Sequence, residues 1–482
     1  MEKKAILWFR KDLRLRDNTA LEEALARKRK IIPLFIWDPD SEGGWAPGAA
    51  SRWWLHQSLS ALAADLEKKG APLVVRSGST LEILKQVFQE SSADLLVGHR
   101  RYEPAARKVE EDIQLSFRDS GVEVRLLSGS LLNEPDEFLN QAGKPYQVFT
   151  PFWKVLHALP WVFDSHGVPA RIPVPQNYPA GESLSALDLL PLPDWTGGMK
   201  EAWQPGEKGA WQRLKKFLDE PALSYAGDRD RPDLEGTSAL SAHLTWGEIS
   251  PHRVRHELIR KSQGQTPKAQ ASLSAHLRQL GWREFAHHLL YHFPDTPSQP
   301  LKPEFRRFPW RKGAENLRAW QRGRTGYPIV DAGMRQLWES GWMHNRVRMV
   351  TASFLVKDLL LPWQEGARWF WDTLVDADLA NNTLGWQWVA GCGADAAPYF
   401  RIFNPVIQGE KFDPYGNYVR RWIPELGEMP AKWLHRPWEA PADELSAARV
   451  DFGKNYPNPV IDHSQARDRA LGALDKMKER VG

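Results

Sequence analysis

Five short apolar runs, Lys4 to Phe9, Ile31 to Trp37, Leu73 to Arg76, Asp94 to Val97 and Glu123 to Leu127, punctuate the first 130 residues, and amphipathic stretches separate them. Short apolar runs alternating with helical spacing are the pattern of a parallel sheet whose crossovers are helices. One such crossover, Ser51 to Lys68, places Trp54, Leu55, Leu59, Leu62 and Leu66 close to helical spacing. The pattern predicts a doubly wound α/β domain, a fold that takes ligands beyond the carboxyl ends of its strands. No GxGxxG follows the first strand, so the dinucleotide-binding fingerprint is missing.

At 482 residues the chain is longer than a single hydrophobic core supports. From Asn133 to Gly206 it is rich in proline and glycine (Pro169, Pro173, Pro175, Pro179, Pro191, Pro193, Gly197, Gly198). With little sustained periodicity, that stretch reads as an ordered linker across the surface. Beyond Trp211 charged and apolar residues recur at spacings of three and four through Trp388, which predicts an all-α region. The expected division is an α/β domain over 1–132, a linker over 133–207 and a larger all-α domain over 208–482.

Several function classes are excluded early. No apolar run approaches the ~20 residues needed to span a bilayer, and Met-Glu-Lys-Lys runs directly into Ala5 to Phe9, too short for a signal peptide. A soluble, cytoplasmic protein is expected. Cys392 is the only cysteine, which removes an internal disulfide, an iron–sulfur cluster and a cysteine zinc site; no metal is expected. The net charge of +4 is slight, but residues 301–325 hold eight Lys or Arg (302, 306, 307, 311, 312, 318, 322, 324) against Glu304 and Glu315. That stretch reads either as a solvated basic face or, with Phe305, Phe308, Trp310 and Trp320 interleaved, as a surface for phosphates and bases. Tryptophan is the compositional outlier at 24 copies, most of them serving cores and interfaces.

Four segments carry candidate chemistry. Trp8 to Asn18 (WFRKDLRLRDN) leaves the first strand and ends with Asp17 or Asn18 placed to cap a helix at Thr19; it reads equally as a strand end with salt bridges. Tyr225 to Ser241 (YAGDRDRPDLEGTSALS) sets Gly236, Thr237 and Ser238 before a helix, where hydroxyls and free N–H groups suit a pyrophosphate or act as plain caps. Gly341 to Met349 (GWMHNRVRM) puts Trp342, Asn345 and Met349 on one helical face, with Arg348 beside it in reach of a carboxylate; core packing is the alternative. Asp376 to Trp388 (DADLANNTLGWQW), followed by Asp395 to Pro405 (DAAPYFRIFNP), gathers two Asp, two Asn and two Trp within thirteen residues. A hydrophobic core has no reason to hold such a set, and it reads as a pocket wall.

These segments, in this order and together with GYPIVDAGMRQL, resemble the DNA photolyase/cryptochrome family from Trp8 nearly to the C-terminus, most closely the bacterial photolyases for cyclobutane pyrimidine dimers. The resemblance implies FAD in the helical domain, with Tyr225, Thr237, Ser238, Leu240 and Ser241 around its phosphates. It implies an ion pair of Arg348 and Asp376 beside the isoalloxazine, Asp378 near the ribityl chain and ring edge, and Asn382 facing flavin N5. An amide there serves a reduced, anionic flavin without adding negative charge, where the Asp of plant-type cryptochromes favours flavin protonation. By the same resemblance Trp386, Trp363 and Trp310 relay electrons that restore reduced FAD.

The substrate implied is UV-damaged DNA containing pyrimidine dimers. Trp282 and Trp388 are its stacking walls, Asn345 and Met349 its base contacts, and Arg229, Arg346 and Arg401 its phosphate clamp. Gln279 departs from the dimer pattern, which has Glu there as the (6-4) branch has Gln; that branch, however, has histidines where this chain has Asn345 and Met349. A second, antenna chromophore, methenyltetrahydrofolate or a deazaflavin, is implied for the N-terminal domain, with Glu103 resembling a folate contact; a purely structural α/β domain is the other reading. The expected activity is light-driven dimer repair by a monomer. The alternative is a blue-light photoreceptor with FAD and little repair, a class that typically adds a C-terminal extension. A flavin oxidoreductase without photochemistry would need a nicotinamide site.

Overall fold

The computed structural model describes residues 2–160 and 163–479; Met1, residues 161–162 of the expected linker and residues 480–482 of the expected helical domain lie outside them. Five parallel strands, β1 (Lys4–Phe9), β2 (Lys30–Trp37), β3 (Val74–Ser77), β4 (Leu95–His99) and β5 (Glu123–Leu127), form one sheet in the order β3-β2-β1-β4-β5. Ile6 pairs with Ile32 on one side and Leu96 on the other. Their side chains join Leu34, Leu84, Val87, Phe88 and Ile113 in a buried cluster, as expected for strands covered on both faces. Strand order reverses at β1, so a crevice opens between β1 and β4 beyond their carboxyl ends.

The turn after β1 is built as its polar residues dictate. Asn18 caps the helix Thr19–Ala26, its Oδ1 accepting from Leu21 N at 3.0 Å while its Nδ2 donates to Arg14 O at 2.9 Å. Asp17 is left to receive Arg253 through Nε and Nη2 at 2.9 and 3.0 Å. At Gly247 the backbone takes φ +64°, and a Cβ would lie 2.2 Å from the carbonyl oxygen of Lys11. Only glycine fits so close an approach.

Grouped by packing, the chain forms two interleaved units: 1–223 with 238–294 and 375–380, and 224–237 with 295–374 and 381–482. The sequence bounds at 132 and 207 therefore do not mark packing units, because the helices Pro251–Ser262 and Pro267–His292 belong with the sheet. The expected linker is also less irregular than its prolines suggest. It contains the helix Phe149–Ala158, whose Phe149, Phe152 and Leu156 are buried at helical spacing and pack on Phe285 and Trp282. In the second unit the helices run from Pro328–Ser340 and Asn345–Ser353 to His463–Glu479. Among the described residues no helix is long and apolar enough to cross a membrane.

Asp331 anchors the turn that starts the second unit's first long helix. Fully buried, it accepts from Thr325 N and Oγ1, both at 2.7 Å, Gly326 N at 3.0 Å and Tyr456 OH at 2.9 Å. Burial lifts its carboxyl to about 6 against the pull of those donors. Two substitutions test these anchors by denaturant unfolding. Asn18→Ala lowers the unfolding free energy by about 1 kcal/mol, the value of one N-cap; Asp331→Ala, which strands four donors, lowers it by about 3 kcal/mol or more.

Candidate functional site

In the first unit a single helix, Pro267–His292, carries two of the expected side chains, Gln279 and Trp282. Its 26 residues span roughly 39 Å at 1.5 Å per residue, enough to serve different parts of one long ligand. Near its start His276 Nε2 lies 3.1 Å from Ser238 Oγ, and Ser238 Oγ accepts from Leu240 N at 3.4 Å. Ala239 between them has φ +48°, so the segment is a tight turn. The helix after it, Ser241–Thr245, has only five residues, far shorter than a pyrophosphate-binding helix.

One turn on, half-buried Gln279 donates from Nε2 to Ala275 O at 3.2 Å. Trp282 stacks on Phe149 with centroids 3.7 Å apart and planes 7° from parallel. One face of the indole is thus covered, and any base stacking on Trp282 uses the other. Gly281 makes room beside it: a Cβ there would meet Trp153 at 2.3 Å. Toward the helix end, His287 Nδ1 donates to Arg283 O at 3.0 Å, which leaves Nε2 3.4 Å from Asp378 Oδ2. Burial alone would raise the Asp378 carboxyl, but the charge and hydrogen bond of His287 hold it below the usual range. His287 answers in kind: burial lowers it, and Asp378 lifts it above its ordinary value. Asp376 is buried, its carbonyl accepting from Thr245 Oγ1 at 3.4 Å.

In the second unit the helix expected to present Trp342, Asn345 and Met349 on one face begins only at Asn345. Trp342 precedes it and does not share that face. His344 is the cap, its Nδ1 accepting from Arg346 N at 3.2 Å, and burial holds this imidazole down at about 4, the neutral form the cap requires. Asn345 and Met349 do come together, with Nδ2 3.9 Å from Sδ. Arg348 Nε donates to Met343 O at 2.7 Å. Two clamp arginines converge on one carboxylate, Arg346 at 2.8 Å and Arg229 at 3.9 Å from Asp230. Each also faces an aromatic ring, Arg346 over Phe412 and Arg229 over Tyr225. Thr237 is half-buried and Arg401 exposed.

The helix Leu379–Ala390 carries Asn382, Trp386 and Trp388. Asn382 Nδ2 donates to Ala367 O at 3.0 Å. Gly385, one turn further, is exposed, and a Cβ there would touch nothing within 4 Å. Trp386 lies edge-on to Phe370 at 5.0 Å and Trp320 at 6.2 Å, and it packs so tightly on Gly366 that a Cβ there would lie 2.0 Å from its ring. Gln387, in the same segment, serves structure: its amide donates to Thr296 O and Gln299 O and accepts from Leu301 N. Trp363 is buried, starting the helix Trp363–Thr373, Trp388 is half-buried, and half-buried Trp310 sits 4.4 Å from Phe308. Phe305, Phe308 and Trp320, offered as stacking surfaces in the basic stretch, are buried core residues; Trp310 is half-buried, and charges such as Arg306 and Arg307 face solvent.

The crevice at the strand ends is lined by Trp8, Phe35, Trp37 and Trp246 with Arg10 and Arg101. Beside it Glu103 is buried in ion pairs with Arg101 at 3.0 Å and Lys11 at 2.8 Å, while Arg101 also grips Glu42. Burial works against the Glu103 charge, but Arg101 and Lys11 hold its carboxyl well below the usual range. The Trp8 Nε1–H is buried without a hydrogen-bond partner among the described residues. Sequence reasoning missed His287, Phe149 and Asp230. Asp230 lies beside Arg229 in the quoted DRDRP run and was open to notice; nothing local marks the other two.

Residues 276–476 match the FAD binding domain of DNA photolyase, and residues 5–175 match the DNA photolyase family. The deoxyribodipyrimidine photo-lyase of Agrobacterium fabrum is 46% identical over 98% of both chains. Cryptochrome-2 of Arabidopsis thaliana is 37% identical over 99% of this chain and 80% of its own length. The crystal structure of a bacterial class III photolyase from Agrobacterium tumefaciens superimposes with a TM-score of 0.96 at 46% identity, covering 99% of this chain and 98% of that one. An α/β domain on a parallel sheet, a largely helical FAD-binding domain and similarity along nearly the whole length lead to one conclusion: the chain belongs to the DNA photolyase/cryptochrome family.

Proposed function

We propose that this protein repairs cyclobutane pyrimidine dimers in UV-damaged DNA, using light and reduced FAD. The observation that carries the reading is the aim of the Asn382 amide. One Nδ2 hydrogen is held by Ala367 O, which fixes the turn of the amide and leaves Oδ1 to accept from a ligand, and flavin N5 bears a hydrogen to donate only when reduced. Bound FAD would supply a light-excited electron for opening the cyclobutane ring and take it back afterwards, leaving no net oxidation.

The rest of the chain's part is binding and orientation. Tyr225, Thr237, Ser238, Leu240 and Ser241 surround the phosphates, Arg348 and Asp376 contribute one charge of each sign near the ring, and Asp378 is kept ionised by His287. The open face of Trp282, Trp388, Gln279 and the Asn345–Met349 turn receive the extruded lesion. Extrusion costs roughly a few kcal/mol, less for a badly paired dimer, which favours damaged sites. Arg229 and Arg346, prepositioned by Asp230, join Arg401 on the DNA backbone. Trp386, Trp363 and Trp310 return electrons to an oxidised flavin. The crevice suits a planar second chromophore, methenyltetrahydrofolate or a deazaflavin, through its aromatic walls and the Trp8 donor; Glu103 serves it by fixing Arg101 and Lys11. The protein acts as a monomer in the cytoplasm.

Incubation with a UV-irradiated thymine oligonucleotide, in light and in darkness, tests the proposal. Thymine absorbance recovers only in light; photoreduction without recovery would replace this reading with the photoreceptor one. Asn382→Asp shifts the resting flavin away from its reduced form, read in the visible spectrum, and lowers repair by at least about tenfold, a change of 1.4 kcal/mol. Gly366→Ala displaces Trp386 and slows flavin photoreduction, while enzyme reduced chemically beforehand still repairs; slow repair after chemical reduction would contradict the relay.

A further inference from the structure

We infer that Lys357 is a positioning residue for DNA: buried at the root of the loop 395–402, it holds Tyr399 in place and so fixes how Phe400 and Arg401 are presented outward. The inference rests on the proposed role of Arg401 at the DNA backbone and adds what sets its aim.

The helix Asn345–Ser353 ends in a π-helical turn, Phe354–Asp358. Single π turns recur at functional sites because they redirect side chains. Here the turn sends two neighbours to different partners. Lys357 Nζ donates to Tyr399 O at 2.8 Å and stands 3.5 Å from the centre of the Tyr399 ring. Asp358 Oδ1 lies 2.5 Å from His463 Nδ1, and its carbonyl accepts from Arg469 at 2.5 Å. The helix His463–Glu479 thus braces the turn that grips the loop.

The loop has one root and two exposed neighbours. Tyr399 is buried between Phe308 and Phe305, at 5.0 and 6.1 Å, and its hydroxyl has no hydrogen-bond partner among the described residues. Phe400, next in sequence, is 66% exposed, and Arg401 is exposed as well. The backbone bonds Arg401 N to Pro398 O and Ile402 N to Phe400 O, at 2.9 and 3.0 Å, make this a tight turn. Any tilt of Tyr399 is therefore passed on to Phe400 and Arg401.

A lysine 1% exposed is not there for stability, since an apolar side chain of similar length would fill the space without desolvating a charge. Burial brings its ammonium down to about 7, with Cys392 and Asp358 pulling the other way. The titratable groups facing it are Asp358 on its own turn, Cys392 just beyond the helix Leu379–Ala390, and the Tyr399 phenol. Lys302 and Glu304 face Cys392 from the preceding segment. The Cys392 thiol is pushed up to about 12, and burial raises the Tyr399 phenol, so both are neutral near pH 7. Protonated, Lys357 holds both the carbonyl and the ring; deprotonated, it keeps the hydrogen bond and loses the cation–π attraction.

Lys357→Met keeps the volume and removes the grip. The expected result is a Kd for dimer-containing DNA about tenfold weaker, or 1.4 kcal/mol, with faster hydrogen exchange at the Arg401 and Ile402 amides. The flavin spectrum and photoreduction rate stay unchanged, as loss of a merely structural residue would not leave them. A folded Lys357→Met protein with native affinity and native exchange overturns the inference. Should that variant not fold, the wild type decides: protection at these two amides, corrected for intrinsic exchange, falls as pH rises through about 7, and a flat profile overturns it. Wild type without preference for dimer-containing DNA would refute the repair reading, and the exchange measurement would still judge Lys357.

Discussion

Asp331 accepts four hydrogen bonds in the interior, Gln387 engages three backbone groups, Asp378 meets a histidine, and Asn382 gives its nitrogen to a backbone carbonyl. A buried polar group is tolerated only when partnered, and that constraint decides what each of these side chains is able to do for a ligand. An amide has one donor end and one acceptor end. One of the two Nδ2 hydrogens of Asn382 goes to Ala367 O, which fixes how the amide is turned and leaves Oδ1 to accept, the polarity that the proposed reduced flavin asks for.

The same logic separates structural polarity from functional polarity. Gln387 and Asp331 have every strong contact answered within the protein, so they hold loops and turns. Trp282 stacks on Phe149, and Arg229 and Arg346 both face the Asp230 carboxylate, contacts that orient these side chains without closing a turn or a loop. Glu103, by contrast, is fully engaged by Arg101 and Lys11. Its part at the crevice is to set two cations.

Much of this was legible in the chain. All five strands were placed within two residues, because apolar runs leave a strong local pattern, and a cap before Thr19 was expected at Asp17 or Asn18, of which Asn18 takes it. What escaped was set by partners far away in sequence. The helix Phe149–Ala158 hid among prolines because its apolar stripe is short and its partner is Phe285. Trp320 of residues 301–325 faced inward because it hydrogen-bonds Thr351 O and packs on Phe370, contacts that no local spacing shows. Trp342 fell outside its helix because His344 took the cap, a role histidine seldom plays.

The account stands or falls on which end of the Asn382 amide meets the flavin. Resonance Raman spectra of the FAD-bound, reduced protein in H2O and D2O report the N5–H vibration directly. The account predicts a hydrogen-bonded N5–H in the wild type whose frequency shifts when Asn382 is replaced by Ala. An N5–H signal identical in both proteins would contradict it.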